Sequence, residues 1–181
     1  IMDIPLKKLR DSIGYVPQDN FLFSSSIYDN IAFNPYNTKM EDVRKAAQIS
    51  QIDETIMEME KKYNTMLGER GVNLSGGQKQ RVSIARALVK NPSILILDDC
   101  LSAVDTNTER KILEKLRPFM ARRTCIIIAH RISTIQHADE IIVLDEGRII
   151  ERGTHQELLE LKGYYYELYN RQLLEEAIES A

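Results

Sequence analysis

Hydrophobic and polar positions change period several times along the chain, and each change marks an element. The run Ser12 to Val16 is strand-like and is closed by Pro17, which has no backbone N–H for a ladder, so Gln18 falls at a strand end. Phe21 to Phe33 reads as a loop and short helix, broken by Asn34-Pro35. Thr38-x-x-Glu41 then offers a capping box for a helix with Val43, Ala46, Ala47, Ile52, Ile56 and Met59 on its apolar side and Arg44, Lys45, Asp53 and Glu54 on its wet side. A second capping box, Ser75-x-x-Gln78, precedes Val82, Ile84, Ala85, Ala87 and Leu88, and Asn91-Pro92 predicts the stop. Ile94 to Leu97 is apolar throughout, as a strand buried on both faces is, and ends in Asp98-Asp99. A similar strand, Cys125 to Ala129, ends at His130. Between them Thr106-x-x-Glu109 opens a helix carrying Ile112, Leu113 and Leu116. Ile141 to Asp145 and Arg148 to Glu151 flank Glu146-Gly147 as a hairpin. Thr154-x-x-Glu157 starts a C-terminal helical region, in which Tyr164-Tyr165-Tyr166 packs a helix onto the sheet. Strand, helix, strand in that order predicts an α/β fold with a parallel sheet beside a small helical subdomain.

Composition narrows the function classes. The 181 residues suit one domain or most of one, and 43% hydrophobic with 28% charged residues suits a packed core. A net charge of -3 lacks the basic excess of a nucleic-acid footprint, so no nucleic-acid partner is expected. The wholly apolar runs fall far below the roughly 20 residues that span a bilayer, so a membrane role has to run through a partner. Cys100 and Cys125 show neither metal-ligand spacing nor a disulfide framework, and the start carries no signal-peptide pattern, which predicts a reducing, cytosolic setting.

In parallel α/β sheets ligands sit beyond the carboxyl ends of the strands, where Gln18, Asp98-Asp99 and His130 are expected. Asp98 is the candidate for Mg2+, which prefers oxygen ligands and keeps much of its water. Asp99 could orient or deprotonate an attacking water, and His130 could bind a terminal phosphate oxygen. The alternative is that both carboxylates cap the next turn and His130 is an ordinary strand-end histidine. Leu74-Ser75-Gly76-Gly77-Gln78 places two glycines at a helix N-terminus, where backbone N–H groups can approach an anion. A capping box alone explains Ser75 and Gln78 but not the glycines. His137 and His155 read as surface histidines, and Cys100 as a small packing residue.

With these residues in view, the chain resembles the nucleotide-binding domain of ABC transporters from the Q-loop to the C-terminus, over nearly all 181 residues. Tyr15-Val16-Pro17-Gln18-Asp19 is similar to the Q-loop, Leu74 to Gln78 to the family signature, and Ile94 to Asp98 to the Walker B strand. Ser102-Ala103-Val104-Asp105 resembles the D-loop, and Ile128-Ala129-His130-Arg131 the switch histidine with its flanks. Thr65-x-x-Gly68-Glu69-Arg70-Gly71 resembles the segment that exporters set against their membrane domain. The resemblance implies a P-loop NTPase-like fold. It divides the chain into a core strand and Q-loop at 1–20, a helical subdomain with the signature at 21–90, and the rest of the core with C-terminal helices at 91–181.

The resemblance also implies roles: Gln18 senses Mg2+ and the γ-phosphate, Asp98 positions Mg2+, and His130 meets the γ-phosphate. Ser75, Gly76, Gly77 and Gln78 would face ATP on a second, head-to-tail nucleotide-binding domain, Asp105 would bridge that dimer, and Glu69 would face the membrane domain. ATP and Mg2+ are the implied cofactors, and the cytoplasmic face of a membrane the implied location. Activity would be ATP hydrolysis powering export. The rival readings are a soluble ABC-type ATPase of DNA repair or translation, and a non-catalytic module that supplies only its signature in trans.

Two departures from the family pattern accompany these matches. No G-x-x-x-x-G-K-S/T loop occurs in the sequence. The expectation is a chain truncated at its start, which binds ATP weakly or not at all by itself and is inactive alone. Asp99 stands where the family usually has glutamate, one methylene longer. The expectation is a poorly hydrolysing site of the kind found in one half of a heterodimeric exporter, with the partner's nucleotide, facing this chain's signature, turned over faster.

Overall fold

The computed structural model describes residues 4–33 and 38–179, so the expected break at Asn34-Pro35 lies outside them. The chain divides after Ile128 into two compact units.

The first unit runs α1 (Leu6–Ser12), β1 (Ile13–Val16), α2 (Ile27–Ala32), α3 (Met40–Ile49), α4 (Asp53–Glu58), α5 (Gly76–Val89), β2 (Ile94–Asp98), α6 (Thr106–Met120) and β3 (Thr124–Ile128). Its sheet is wholly parallel in the order β1-β2-β3, with Tyr15 beside Ile96 beside Ile126. This is the α/β class the sequence predicts. Helix α5 packs on β1 and also against α2 and α3, and a helix with neighbours on several sides needs an apolar surface most of the way round. Val82, Ile84, Ala85, Ala87 and Leu88 are all buried accordingly.

Several local expectations change. Ile94 to Leu97 is not buried on both faces: Leu95 and Leu97 are, Ile94 and Ile96 only partly. The half-open face also carries Tyr15, Ile126 and Ile128, each about half exposed at 53%, 49% and 50%. A helix, α1, precedes the first strand and takes Ser12 into it. Thr38 does not cap α3. Its hydroxyl donates to the Ala32 carbonyl at 3.4 Å and its carbonyl accepts from Tyr28 Oη at 2.6 Å, which ties it to α2, and α3 starts after Lys39 without a side-chain cap. The single helix expected from Val43 to Met59 is two, parted at Ser50 to Ile52 with Gln51 in the left-handed region at φ 59°. Asp105, not Thr106, is the N-cap of α6.

The second unit contains α7 (Ile132–Ile135), β4 (Ile141–Asp145), β5 (Arg148–Gly153), α8 (His155–Leu161) and α9 (Tyr164–Glu179). β4 and β5 pair antiparallel, and the turn residues Glu146 and Gly147 both have positive φ (46° and 74°), as a two-residue hairpin turn that matches strand twist requires. Thr154 and Glu157 form the expected capping box. The Glu151 carboxylate accepts from the backbone N–H of Tyr164 (2.5 Å) and Tyr165 (3.0 Å), placing an anion at the positive end of α9. Of the tyrosine run only Tyr165 is buried, in a small core with Ile132, Ile141 and Leu158. His155 Nδ1 lies 2.8 Å from Tyr165 Oη and its ring meets those of Tyr165 and Tyr169 edge-on, so this histidine, expected at the surface, is half-buried and packed.

Candidate functional site

Asp98 ends β2 and Asp99 follows it immediately. The Asp99 N–H donates to the Ile128 carbonyl at 2.8 Å, so the turn stays anchored to β3. Its φ of 44° is left-handed, a conformation that aspartate tolerates better than most residues. Gln18 Nε2 donates to Asp99 Oδ2 at 3.3 Å, and Tyr15 Oη donates to Asp98 Oδ2 at 3.0 Å. Thus Gln18, Asp98 and Asp99 meet at one corner, at the carboxyl ends of β1 and β2. The bond to Asp98, together with some desolvation, raises the Tyr15 phenol above the ordinary tyrosine range. That contact was not foreseen, because nothing within five residues of Tyr15 signals an acid 83 positions later.

Cys100, behind this corner, is buried, and burial with the negative field of Asp99, Asp98 and Glu109 pushes its thiol up to about 12. It is the inert packing residue expected. His130 belongs to the second unit and is exposed. Its carbonyl accepts from Gln172 Nε2 at 2.7 Å while Gln172 Oε1 accepts from the Ile132 N–H at 2.9 Å, so one amide of α9 clamps the backbone on both sides of Arg131.

At the start of α5 the Ser75 hydroxyl accepts from the Gln78 N–H (3.3 Å) and the Gln78 amide oxygen accepts from the Ser75 N–H (3.0 Å), completing the predicted capping box. The two glycines differ. A Cβ on Gly77 would lie 2.7 Å from the Ala103 carbonyl oxygen, whereas one on Gly76 would come no nearer than 3.4 Å to Ala103 Cβ. Gly77 therefore has a packing reason inside the chain: the first turn of α5 rests on the Ser102 to Asp105 turn. Gln80, which sequence reasoning passed over, seals that contact. Asp105 caps α6 by accepting from the Thr108 N–H at 3.0 Å, and this N–H, aided by the Arg81 charge, holds its carboxyl below the usual range.

A second surface forms around the residues after Gln18. The side chain of Asn30, fully buried, bonds Phe23 through both its N–H and its carbonyl at 2.8 and 3.0 Å. Arg86 donates to the carbonyls of Asn30 (2.6 Å) and Phe21 (2.8 Å) and to Asn30 Oδ1 (2.8 Å), and burial brings its guanidinium down to about 10. Its cationic carbon lies 5.6 Å and 5.9 Å from the Phe23 and Phe33 ring centres. Phe21, Phe23 and Phe33 remain half exposed. The segment 65–67 pairs with 25–27 through Ile27 N–H to Thr65 and Leu67 N–H to Ser25, and Asn73 pins the next turn by bonding Gly68 and Met66. The aromatic loop and the Thr65 to Gly71 segment, read separately in the sequence, thus adjoin, with Met66 and Val72 exposed.

Comparison with known proteins accords with this geometry. The ABC transporter family matches residues 1–102, and the chain belongs to it. It is 56% identical over 172 residues to the ABC transporter ATP-binding protein YknU of Bacillus subtilis, covering 95% of this chain and 29% of that protein. It is 49% identical over 174 residues to YheI of the same organism, a probable multidrug resistance ABC transporter ATP-binding/permease protein, covering 96% and 30%. The structure of a bacterial Atm1-family ABC exporter with ATP bound superposes with a TM-score of 0.91 at 46% identity, over 96% of this chain and 30% of that one. The fold is therefore that of the ABC ATPases, and the chain spans about three-tenths of the length of these relatives. Among the described residues no helix is long and apolar enough to cross a membrane.

Proposed function

We propose that this chain is the ATP-binding and ATP-hydrolysing portion of an ABC exporter subunit, working on the cytoplasmic face of a membrane against a transmembrane domain and a second, head-to-tail nucleotide-binding domain. The observation that carries it is the corner where Gln18, Asp98 and Asp99 meet beyond two parallel strands.

The residues present fit Mg2+ and the γ-phosphate end of ATP; a G-x-x-x-x-G-K-S/T loop to hold the other phosphates is not among them. The corner's donor set is all oxygen, two carboxylates and the Gln18 amide oxygen, which suits a cation that keeps several waters and completes its shell with phosphate. Among the described residues no group of three or more His, Cys, Asp or Glu forms a protein cage, and Mg2+ does not require one. Bound there, it would offset charge on the phosphates. Asp98 and Gln18 would hold it, Asp99 would accept the proton of the attacking water on its carboxylate, and His130 would donate a hydrogen bond to the γ-phosphate. Gly76 and Gly77 would offer first-turn N–H groups of α5, with Ser75 and Gln78, to the nucleotide on the opposing domain. Asp105 would lie at that interface.

The half-exposed aromatic cluster with Met66, Glu69 and Val72 supports a membrane-domain partner, since large exposed apolar patches mark interaction sites. Asp99 in place of glutamate supports a slow site in a heterodimer. ATPase assays of the complete transporter test the reading: Asp99→Asn and His130→Ala should each lower turnover at this chain's site by about 100-fold, and Asp99→Glu should raise it. Unchanged turnover in the first two variants would remove these residues from the chemistry.

A further inference from the structure

Gln80 lies one helical turn beyond the glycines of the candidate anion site and is 5% exposed, yet it points to no candidate ligand. Its amide spends both ends on one short turn: Nε2 donates to Ser102 Oγ at 3.2 Å, and Oε1 accepts from the Ala103 N–H at 2.9 Å. Ser102 Oγ passes the link on by donating to the Asp99 carbonyl at 2.9 Å. Asp99 is the residue whose left-handed backbone aims the candidate base. The same turn bears directly on Gly77, whose missing Cβ leaves room for the Ala103 carbonyl. A continuous run of polar contacts, buried at Gln80 and exposed at Ser102 and Ala103, therefore joins the start of α5 to Asp99 within one chain.

We propose that Gln80 is a positioning residue that couples the Ser75 to Gln78 segment, which serves the opposing nucleotide, to Asp99, which serves this chain's own. The inference rests on the function proposed above. A displacement of the first turn of α5, as when nucleotide docks on it, is carried by Gln80 into the Ser102-Ala103 backbone and through Ser102 to the Asp99 carbonyl. The strut needs both a donor and an acceptor at one side-chain end, which an amide supplies and neither leucine nor a carboxylate does. It acts on geometry and not on substrate affinity, so its loss appears in kcat; a catalytic group displaced by about 1 Å can lose on the order of 100-fold.

Steady-state ATPase kinetics of the complete transporter, with the partner's site silenced so that turnover at this chain's own site is read, test this in Gln80→Leu, Ser102→Ala and the pair. Ser102 is exposed, so its alanine variant keeps the fold even where Gln80→Leu weakens it. The expected result is a kcat lower by about tenfold in each single variant, with the ATP KM changed less than about twofold, and no further loss in the pair, since both remove one strut. Faster amide hydrogen exchange at Ala103 in Gln80→Leu should accompany it. Wild-type kcat in both variants, a rise in KM with kcat intact, or losses that multiply in the pair would each overturn the coupling. A wild-type transporter that hydrolyses no ATP would overturn the proposed function first and the coupling with it.

Discussion

Tyr15 donates its phenolic hydrogen to Asp98 at 3.0 Å, across two adjacent parallel strands, on the half-open face of the sheet. The neutral phenol is favoured by that bond, so folding raises the Tyr15 pKa. Spectrophotometric titration should show this tyrosine ionising above the ordinary value of 10.0, and Asp98→Asn should bring it back toward that value. A Tyr15 that titrates normally in the wild type would mean the contact is not held in solution.

The two signature glycines should separate by substitution. Gly77→Ala forces its new methyl against the Ala103 carbonyl and should cost about 1–3 kcal/mol in chemical denaturation. Gly76→Ala has room and should leave stability within about 0.5 kcal/mol. If Gly76→Ala nonetheless abolishes stimulation of the partner's site, the glycine serves the nucleotide and not the packing.

Arg86 is a half-buried cation whose three bonds all go to neutral oxygens of the aromatic loop and α2. Arg86→Leu should destabilise the first unit by about 2–5 kcal/mol, because the Asn30 and Phe21 carbonyls lose charge-assisted partners. Denaturation of the variant measures this, and a loss under about 1 kcal/mol would show that water replaces the guanidinium there.

Acid should weaken the α3–α4 region. Burial alone would raise the Asp53 carboxyl, but bonds from Arg44 (3.3 Å), Tyr63 (2.6 Å) and Gln48 (3.4 Å) outweigh it and hold its pKa below the ordinary 3.8. The unfolded chain then takes up the proton first as pH falls. The stabilisation is whole above the unfolded pKa, and is lost as pH descends through the folded one. Asp53→Asn should destabilise by roughly 1–3 kcal/mol at neutral pH and by little near pH 2, read from denaturation curves at both. An equal cost at both pH values would exclude the carboxylate charge as the cause.

Tyr15, Ile126 and Ile128 leave a broad apolar patch on one sheet face, and parallel sheets are ordinarily covered on both. This chain alone should self-associate as its concentration rises, and Ile126→Lys should suppress that in sedimentation. Monodisperse monomers at high concentration would show the face to be tolerated in water.

Much of this architecture was legible in the sequence because its determinants are local. The Ser75 and Thr154 capping boxes, the Glu146-Gly147 turn and the stop of α5 near Asn91 each depend on residues a few positions apart, and all appear as expected. The parallel strands and the position of Gln18, Asp98 and Asp99 at their ends follow from hydrophobic period and chain order alone. What the sequence could not decide is set by partners far along the chain. Thr38 matches a cap but is held by Tyr28 and Ala32, and its helix starts two residues later. Gly77 is required by an oxygen at Ala103, Arg86 by carbonyls at Phe21 and Asn30, and Gln80 by a turn 22 and 23 residues away. Periodicity and capping reflect the energetics of one turn or one strand, so they survive in one dimension. Close backbone approach and buried hydrogen bonds exist only once the chain has folded, and they decide which of several compatible residues becomes a cap, a strut or a ligand.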